Sequence, residues 1–230
     1  MRDLKLEEAP DKQWANVTAC YRMEEQDADL NVKYTIRPDG VVKVTMSFVP
    51  GEKALPEMPR LGMRMVLPAE YDMMTWLGRG PHENYADRKN SALIGVYKAN
   101  VWEQYHPYVR AQESANKCDV RWVALRNQTG EGLLITGEEP LNVSAWNFPQ
   151  SDIDYRPFNV ERRHGGSIEK QDLVWLNIDH RQMGVGGDNT WGAHVHSEYT
   201  ITPHAWQYSF VLQPLQPETD PVSQAHKRFF

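Results

Sequence analysis

Short runs in which apolar and polar residues alternate are the feature that most constrains the fold of this chain. The clearest case joins residues 29–37 to residues 41–49, with Pro38-Asp39-Gly40 between them. A period of two places alternate side chains on opposite faces of a β-strand, and the Pro-Asp-Gly sequence favours a tight turn. The pattern therefore predicts a β-hairpin.

The same alternation recurs along the chain. A second hairpin is predicted from residues 120–126 and 132–136, around a Gln-Thr-Gly-Glu turn. Further strands are predicted at residues 19–23, 61–67, 92–97, 142–146, 173–179, 198–202 and 206–212. Apolar stripes of helical period are too short to predict a long helix. Many short strands separated by turn signals predict an all-β fold, a β-sandwich.

The remaining stretches are predicted to connect or flank these strands. Residues 1–18 are polar and are expected along a sheet edge. Residues 76–88 contain glycines and a proline and are predicted to form a structured loop. Residues 148–166 are predicted to be a polar loop whose charged end, Arg162-Arg163-His164, faces solvent. We predict one domain over residues 1–216 and a C-terminal tail over residues 217–230.

Composition excludes several classes of partner. The chain has 230 residues and a formal net charge of −6, without a long basic run, which argues against nucleic acid and anionic membrane surfaces. Apolar runs fall short of a membrane span, and the first residues lack the apolar core of a signal peptide. The compartment is therefore left open between cytoplasm and periplasm. The two cysteines, Cys20 and Cys118, are too few for a disulfide framework.

One loop stands out as a candidate binding element. Residues 183–192 read Met-Gly-Val-Gly-Gly-Asp-Asn-Thr-Trp-Gly and lie between two predicted strands. Glycines permit sharp turns, and the side chains of Asp188 and Asn189 can bond to the backbone and shape the loop. Trp191 would offer an indole face on which the C–H face of a sugar can stack. The alternative is that Trp191 covers an edge of the core.

Other catalytic chemistry has weaker support from the sequence. His194-x-His196 would place two imidazoles on one face of a strand, but a metal site needs a third ligand and spacing marks none. We therefore predict no metal in this chain. Glycoside hydrolysis needs two facing carboxylates. The acidic residues in or near the special loops are Glu83, Glu113, Asp188 and Glu198, and each is expected to be a turn or strand-edge residue.

Three segments together resemble a known family. Residues 77–88 (Leu-Gly-Arg-Gly-Pro-His-Glu-Asn-Tyr-Ala-Asp-Arg) form the first signature segment. Residues 105–113 (Tyr-His-Pro-Tyr-Val-Arg-Ala-Gln-Glu) form the second. Residues 175–179 (Trp-Leu-Asn-Ile-Asp) and 183–191 form the third. In this order and spacing they are similar to the large bacterial β-galactosidases of glycoside hydrolase family 2, over most of residues 15–213.

The resemblance implies a fold and a role. It places the chain in the C-terminal, fifth domain of such an enzyme, which has a galactose-mutarotase-like β-supersandwich fold, and implies that the chain begins part-way into that domain. The catalytic glutamates and the magnesium ligands of the family lie on a barrel domain that this chain lacks. The last domain contributes a tryptophan that stacks on the sugar, and Trp191 matches it by motif. The implied partners are a β-galactoside or galactose and the N-terminal and barrel domains.

Three functions follow as hypotheses. In the first, the chain is part of a retaining β-galactosidase and has no hydrolytic activity by itself. In the second, it is a free-standing carbohydrate-binding module. In the third, it is a mutarotase-like epimerase, which needs a histidine and a carboxylate converging on a sugar ring oxygen. The candidate histidines for that chemistry are His82, His106, His194 and His196.

Overall fold

The structure, a computed structural model, describes residues 1–154, 164–189, 191–227 and 229. Arg162 and Arg163 of the predicted charged loop lie outside these residues, as do parts of the predicted tail. Within the described residues, strands β1 to β11 span Asp3–Glu8, Ala15–Met23, Ala28–Ile36, Val42–Pro50, Arg60–Pro68, Met73–Gly80, Leu93–Asn100, Lys117–Arg126, Gly132–Trp146, Leu173–Gln182 and Trp206–Leu215. One short helix, α1, spans Pro221–Ala225.

Every pairing between these strands is antiparallel. The main path runs in the order β1-β2-β3-β4-β11-β9-β8-β6-β7, and β10 joins β5 to β9 beside it. Both predicted hairpins are confirmed, as β3–β4 and as β8–β9. The prediction of an all-β antiparallel sandwich is confirmed.

Strand β9 connects the two parts of the fold. Its first half, from Gly132, pairs with β8 and β11, and its second half, up to Trp146, pairs with β10 and with the start of β8. The register of β8 against β9 shifts on either side of Val120, and such irregularities let a strand bend and change partners. The predicted strand at residues 142–146 is therefore the end of this 15-residue strand rather than a separate element.

The main apolar core is formed by buried side chains from several of these strands. Alternate residues of β10, namely Val174, Leu176 and Ile178, are buried together with Val44 of β4 and Phe210 of β11. Burial of large apolar side chains supplies most of the favourable free energy of such a fold. Met63 and Met65 of β5 pack against this cluster and are half-buried.

Two predictions about local structure are wrong. Residues 76–80 belong to strand β6 instead of starting the predicted loop, and the buried face of β6 carries Gly78 and Gly80 beside Met74 and Trp76. A Cβ on Gly78 would lie 2.9 Å from the Cα of Val120, so small residues fill a position where alternation predicts an apolar one.

The predicted strand at residues 198–202 is also wrong. Ser197–Tyr199 forms one turn of 3-10 helix, after which Ile201 is buried in the core. The carbonyl of Tyr199 accepts from the amide of Gly184, and that of Ile201 accepts from Met58. These backbone groups bond to loops instead of to a neighbouring strand. The alternating side chains typical of a strand therefore occur here without the hydrogen bonds of a β-sheet.

The ends of the fold are exposed. Strand β1 is exposed at every residue and pairs with β2, which confirms the edge position predicted for the first residues. After β11 the chain forms α1, whose first turn is capped by the side chain of Asp220. The boundary proposed at residue 216 stays a prediction. Among the residues that the structure describes, no helix has the length and apolarity needed to cross a membrane.

Candidate functional site

The three signature segments, which are far apart in sequence, meet at one end of the fold. Glu83 of the first segment is the central acceptor. Its Oε2 accepts from the amide of Ala115 at 2.7 Å and from the hydroxyl of Ser114 at 3.1 Å, just beyond the second segment. Its Oε1 accepts from the hydroxyl of Tyr108 in the second segment and from Arg88 at 2.7 Å. One carboxylate therefore joins the first two segments.

Asp87 joins the first segment to the third. Its Oδ2 accepts from the amide of Gly186 at 2.7 Å and from the amide of Val185 at 3.0 Å. Hydrogen bonds between a carboxylate and backbone amides are among the stronger ones in proteins. Asp87 thus fixes the first turn of residues 183–196, which we call the Trp191 loop.

Trp191 lies at the exposed end of this loop. Its side chain is 93% exposed, so it does not cover an edge of the core within this chain. The side-chain oxygen of Asn189 accepts from the amides of Trp191 at 2.8 Å and Ala193 at 3.4 Å. Asp188 pairs with His196 at 2.9 Å across the loop. Asn189 thus bonds to the loop backbone, whereas Asp188 contacts the side chain of His196 instead of the backbone. The loop-shaping roles of both residues and the sugar-binding role of Trp191 stay predictions.

The glycines of the loop serve mainly to make room. A Cβ on Gly187 would lie 2.0 Å from the carbonyl oxygen of Ala193, and one on Gly184 would lie 2.5 Å from Val195 and 2.8 Å from Asp87. Gly192 has a φ of +100°, a backbone angle that residues other than glycine rarely adopt. Close approach of the Ala193 backbone is thus the main reason for glycine at position 187, whereas at position 184 the side chains of Val195 and Asp87 occupy the space.

A buried group of charges lies beneath the loop. Nη2 of Arg60 donates to both oxygens of Glu113, at 3.0 and 3.1 Å, and its Nε donates to the side chain of Gln182 at 2.9 Å. The same Nε lies 3.3 Å from Oδ2 of Asp179, whose side chain is 1% exposed. The guanidinium carbon lies 5.3 Å from the centre of the Trp146 ring. Arg60 therefore links the end of the second segment to the strand that leads into the loop.

Burial shifts the ionisation of this group. Loss of solvation raises the pKa of Asp179 to about 7, although the nearby Arg60 opposes the shift. Burial also raises the pKa of Glu113. Close by, burial lowers the pKa of Lys117 to about 8, and the negative charge of Glu83 opposes that change. Perturbed groups of this kind concentrate at functional sites, although structural ion networks produce them as well.

The other candidates from the sequence are dispersed. His82 contacts Ser91, and His106 packs edge-to-face against Tyr108 with ring centres 4.3 Å apart. His194 and His196 do not lie on a strand, so the prediction that a strand aligns them is wrong. Glu198 is exposed in the 3-10 turn. No group of three potential ligands for a metal ion occurs among the described residues.

The network residues Asp87, Arg60 and Asp179 were not singled out as candidates from sequence. Asp87 and Asp179 belong to signature segments, so their positions were marked but their roles were not. Arg60 follows a proline-rich loop and has no local signal. Only the antiparallel pairing of β5 with β10, which places Arg60 opposite Gln182, brings it to the site.

The sequence profile of the family described as β-galactosidase small chain matches residues 1–212. The chain belongs to this family. Similar proteins include the β-galactosidase of Priestia megaterium, 40% identical over 190 residues and 82% of this chain, and that of Halalkalibacterium halodurans, 32% identical over 204 residues and 86% of this chain. The resemblance to the large bacterial β-galactosidases is thus confirmed.

The chain spans less than a fifth of these family members, 18% of the first relative and 19% of the second. Among solved structures, it is similar to a galactose mutarotase related enzyme from Lactobacillus acidophilus, with a TM-score of 0.44 and 9% identity over 94% of this chain and 72% of that one. A galactose 1-epimerase from the same species gives a TM-score of 0.46 and 8% identity, covering 92% and 66%.

Proposed function

We propose that this chain is the part of a β-galactosidase that presents Trp191 to a β-galactoside held mainly by other domains of the same enzyme. The observation that carries the proposal is the position of Trp191. A large aromatic side chain is 93% exposed at the end of a loop that is fixed by Asp87 and Asn189. Exposure of an indole on a rigid support favours a contact with a ligand.

The catalytic carboxylates belong to the missing barrel domain in this proposal, as does the magnesium site. Glu113 and Asp179 are tied to Arg60, and Glu83 is tied to backbone and side-chain donors of the second segment. These carboxylates hold segments together and are not arranged as a pair across an open sugar site. Retaining hydrolysis by the whole enzyme would use residues outside this chain.

The first test measures hydrolysis by the chain alone. The purified 230-residue chain should not release nitrophenol from nitrophenyl β-galactoside above the rate of buffer. The full-length enzyme that contains the chain should release it under the same conditions and serves as the positive control. Turnover by the isolated chain would show that it carries its own catalytic residues and would contradict the proposal.

The second test replaces Trp191 in the full-length enzyme. Trp191→Ala removes a stacking surface worth about 1–2 kcal/mol, so KM for the galactoside should rise roughly 5- to 30-fold. The melting temperature should stay within about 2 °C of the wild type, because an exposed side chain contributes little to folding. Trp191→Phe, which keeps an aromatic face, should recover part of the loss. An unchanged KM in Trp191→Ala would refute the role.

A carbohydrate-binding module remains the alternative from a different class. Galactose titration of the isolated chain separates the two, because one stacking residue without its partner domains should bind sugar only in the millimolar range or weaker. Micromolar affinity that depends on Trp191 would favour the module. An epimerase needs a histidine and a carboxylate that both reach a sugar ring oxygen. In this loop His196 and Asp188 bond to each other instead, so the epimerase hypothesis has less support.

A further inference from the structure

A cleft of about 420 Å³ opens at the base of the Trp191 loop. Gln112 and Glu113 of the second signature segment line it, and so do Met183 and Val185 at the start of the loop. Small-molecule sites are commonly clefts of about 300–1,000 Å³. The proposed function assigns no role to this cleft, because the indole of Trp191 lies at the far end of the loop.

Within the part of the chain that the structure describes, the charges that line the cleft are balanced. Arg60 and Arg110 contribute two positive charges, and Glu113 and Asp154 contribute two negative ones. Arg60 is moreover paired with Glu113 and lies against Asp179. An anionic ligand would meet the carboxylates, and a cationic ligand would meet the arginines. The balance therefore favours a neutral ligand.

The polar groups of the cleft combine donors and acceptors. Three glutamines, Gln112, Gln150 and Gln182, line the cleft, and an amide side chain both donates and accepts. The carboxylate of Glu113 accepts in addition. A hydroxyl group also donates one hydrogen bond and accepts others, so a ligand with several neighbouring hydroxyls matches such a lining. Apolar side chains of Ile153 and Met183 lie beside these groups and suit the C–H face of a sugar ring.

The polar side of the cleft is held rigidly before any ligand arrives. Arg60 is fixed by Glu113, Gln182 and the ring of Trp146, and the hydroxyl of Tyr85 lies 3.4 Å from Glu113. Groups that are already ordered lose little conformational entropy on binding, which favours affinity. Charges that are largely removed from water are costly to maintain, and their concentration at the base of a cleft marks it as a candidate site.

We infer that this cleft is a second carbohydrate-binding site, distinct from the surface of Trp191, which takes a neutral hexose or one sugar unit of an oligosaccharide. Glu113 and the glutamine amides bond to the sugar hydroxyls, and Ile153 and Met183 contact the ring. The choice of galactose as the test ligand rests on the proposed function. The existence of the site rests on the cleft and its lining alone.

The test is a titration of the 230-residue chain with D-galactose, in which saturation-transfer NMR measures binding. Four variants are compared with the wild type. Glu113→Gln removes an anionic acceptor, and Gln112→Trp fills the cleft from its exposed rim, with Gln112→Ala as the matched control. Trp191→Ala removes the other sugar surface. Circular dichroism and melting temperature establish that each variant is folded.

The expected result is saturable binding with a Kd that rises at least fivefold in Glu113→Gln and in Gln112→Trp. Gln112→Ala, which loses one amide but leaves the cleft open, should raise it less than Gln112→Trp does, and saturable binding should persist in Trp191→Ala. The inference is overturned if galactose does not saturate the chain, or if the folded Gln112→Trp variant binds as the wild type does. Dependence on Trp191 alone would also overturn it while leaving the proposed function intact. Failure of the proposed function would appear separately, as an unchanged KM in the full-length Trp191→Ala enzyme.

Discussion

At the scale of single residues, a few carboxylates determine where the backbone of the site lies. Asp87 accepts from two consecutive loop amides, and Glu83 accepts from Ala115, Ser114, Tyr108 and Arg88. Neither carboxylate needs to touch a substrate to affect it. Asp87 is in this sense a positioning residue for Trp191, because it fixes the loop that carries the indole.

Replacing Asp87 tests this positioning role in the full-length enzyme. Asp87→Ala removes the acceptor for the amides of Val185 and Gly186, so KM should rise by about the same factor as in Trp191→Ala, roughly 5- to 30-fold. Asp87→Asn keeps a carbonyl oxygen and should recover part of the affinity. The double variant should be no worse than Trp191→Ala by itself, because both changes act through one contact. Additive losses would show that Asp87 acts independently of Trp191.

At the scale of elements, the Trp191 loop depends on close contacts between two backbone segments of the loop itself. The turn at Gly187 passes so near Ala193 that a Cβ would lie 2.0 Å from its carbonyl oxygen. The neighbouring Gly186 is less restricted, since its Cβ would lie 3.3 Å from the Asp87 carboxylate, which is part of a side chain. Space, more than flexibility, therefore sets the sequence of this loop.

Two alanine variants of the loop test this distinction. Gly187→Ala should displace the loop and shift the NMR resonance of the Trp191 indole N–H in the isolated chain, and it should raise KM in the full-length enzyme. Gly186→Ala should have a smaller effect on both measurements, because a side chain can move aside more easily than backbone. Equal effects of the two substitutions would contradict the assignment of the close contact to position 187.

At the scale of the whole molecule, a buried network joins the second signature segment, β5 and β10. Arg60 bonds with Glu113 and Gln182 and lies beside Asp179, whose side chain is buried. Charges in such a position cost solvation free energy. The stability of the domain should therefore depend on pH through these carboxylates.

The pH dependence has a definite sign for Asp179. Burial raises its pKa in the folded chain to about 7, from an ordinary value of 3.8. The stabilisation linked to its proton is complete below the unfolded pKa and is lost as pH rises through 7. The free energy of unfolding should thus fall with rising pH between about 4 and 7, by at most about 1.4 kcal/mol per pH unit from this group.

Denaturant unfolding of wild type and Asp179→Asn at several pH values measures this contribution. The variant does not titrate at this position, so its free energy of unfolding relative to wild type should rise as pH increases from 4 to 7 and then level off. Taking the difference cancels most of the opposite contribution of surface carboxylates such as Asp39 and Asp220, whose pKa values are lowered. A constant difference across this range would show that Asp179 is not protonated by burial.

The sequence by itself determined the fold class, both hairpins and the family, because these depend on local alternation, turn residues and three contiguous motifs. It also placed Asp188, Asn189 and Trp191 on one loop. It misplaced residues 76–80, because glycines on the buried face of β6 hide the alternation. It also misplaced residues 198–202, because the alternation occurs there without a partner strand.

Only the tertiary structure decided which residues of different segments meet. The contacts from Asp87 to Gly186, from Glu83 to Ala115, and from Arg60 to Glu113 span 99, 32 and 53 residues of sequence. Such contacts depend on strand order and register, which periodicity within one strand does not encode. The exposure of Trp191, the network around Arg60 and the cleft beside it follow from that register, and they could not be derived from the residues one segment at a time.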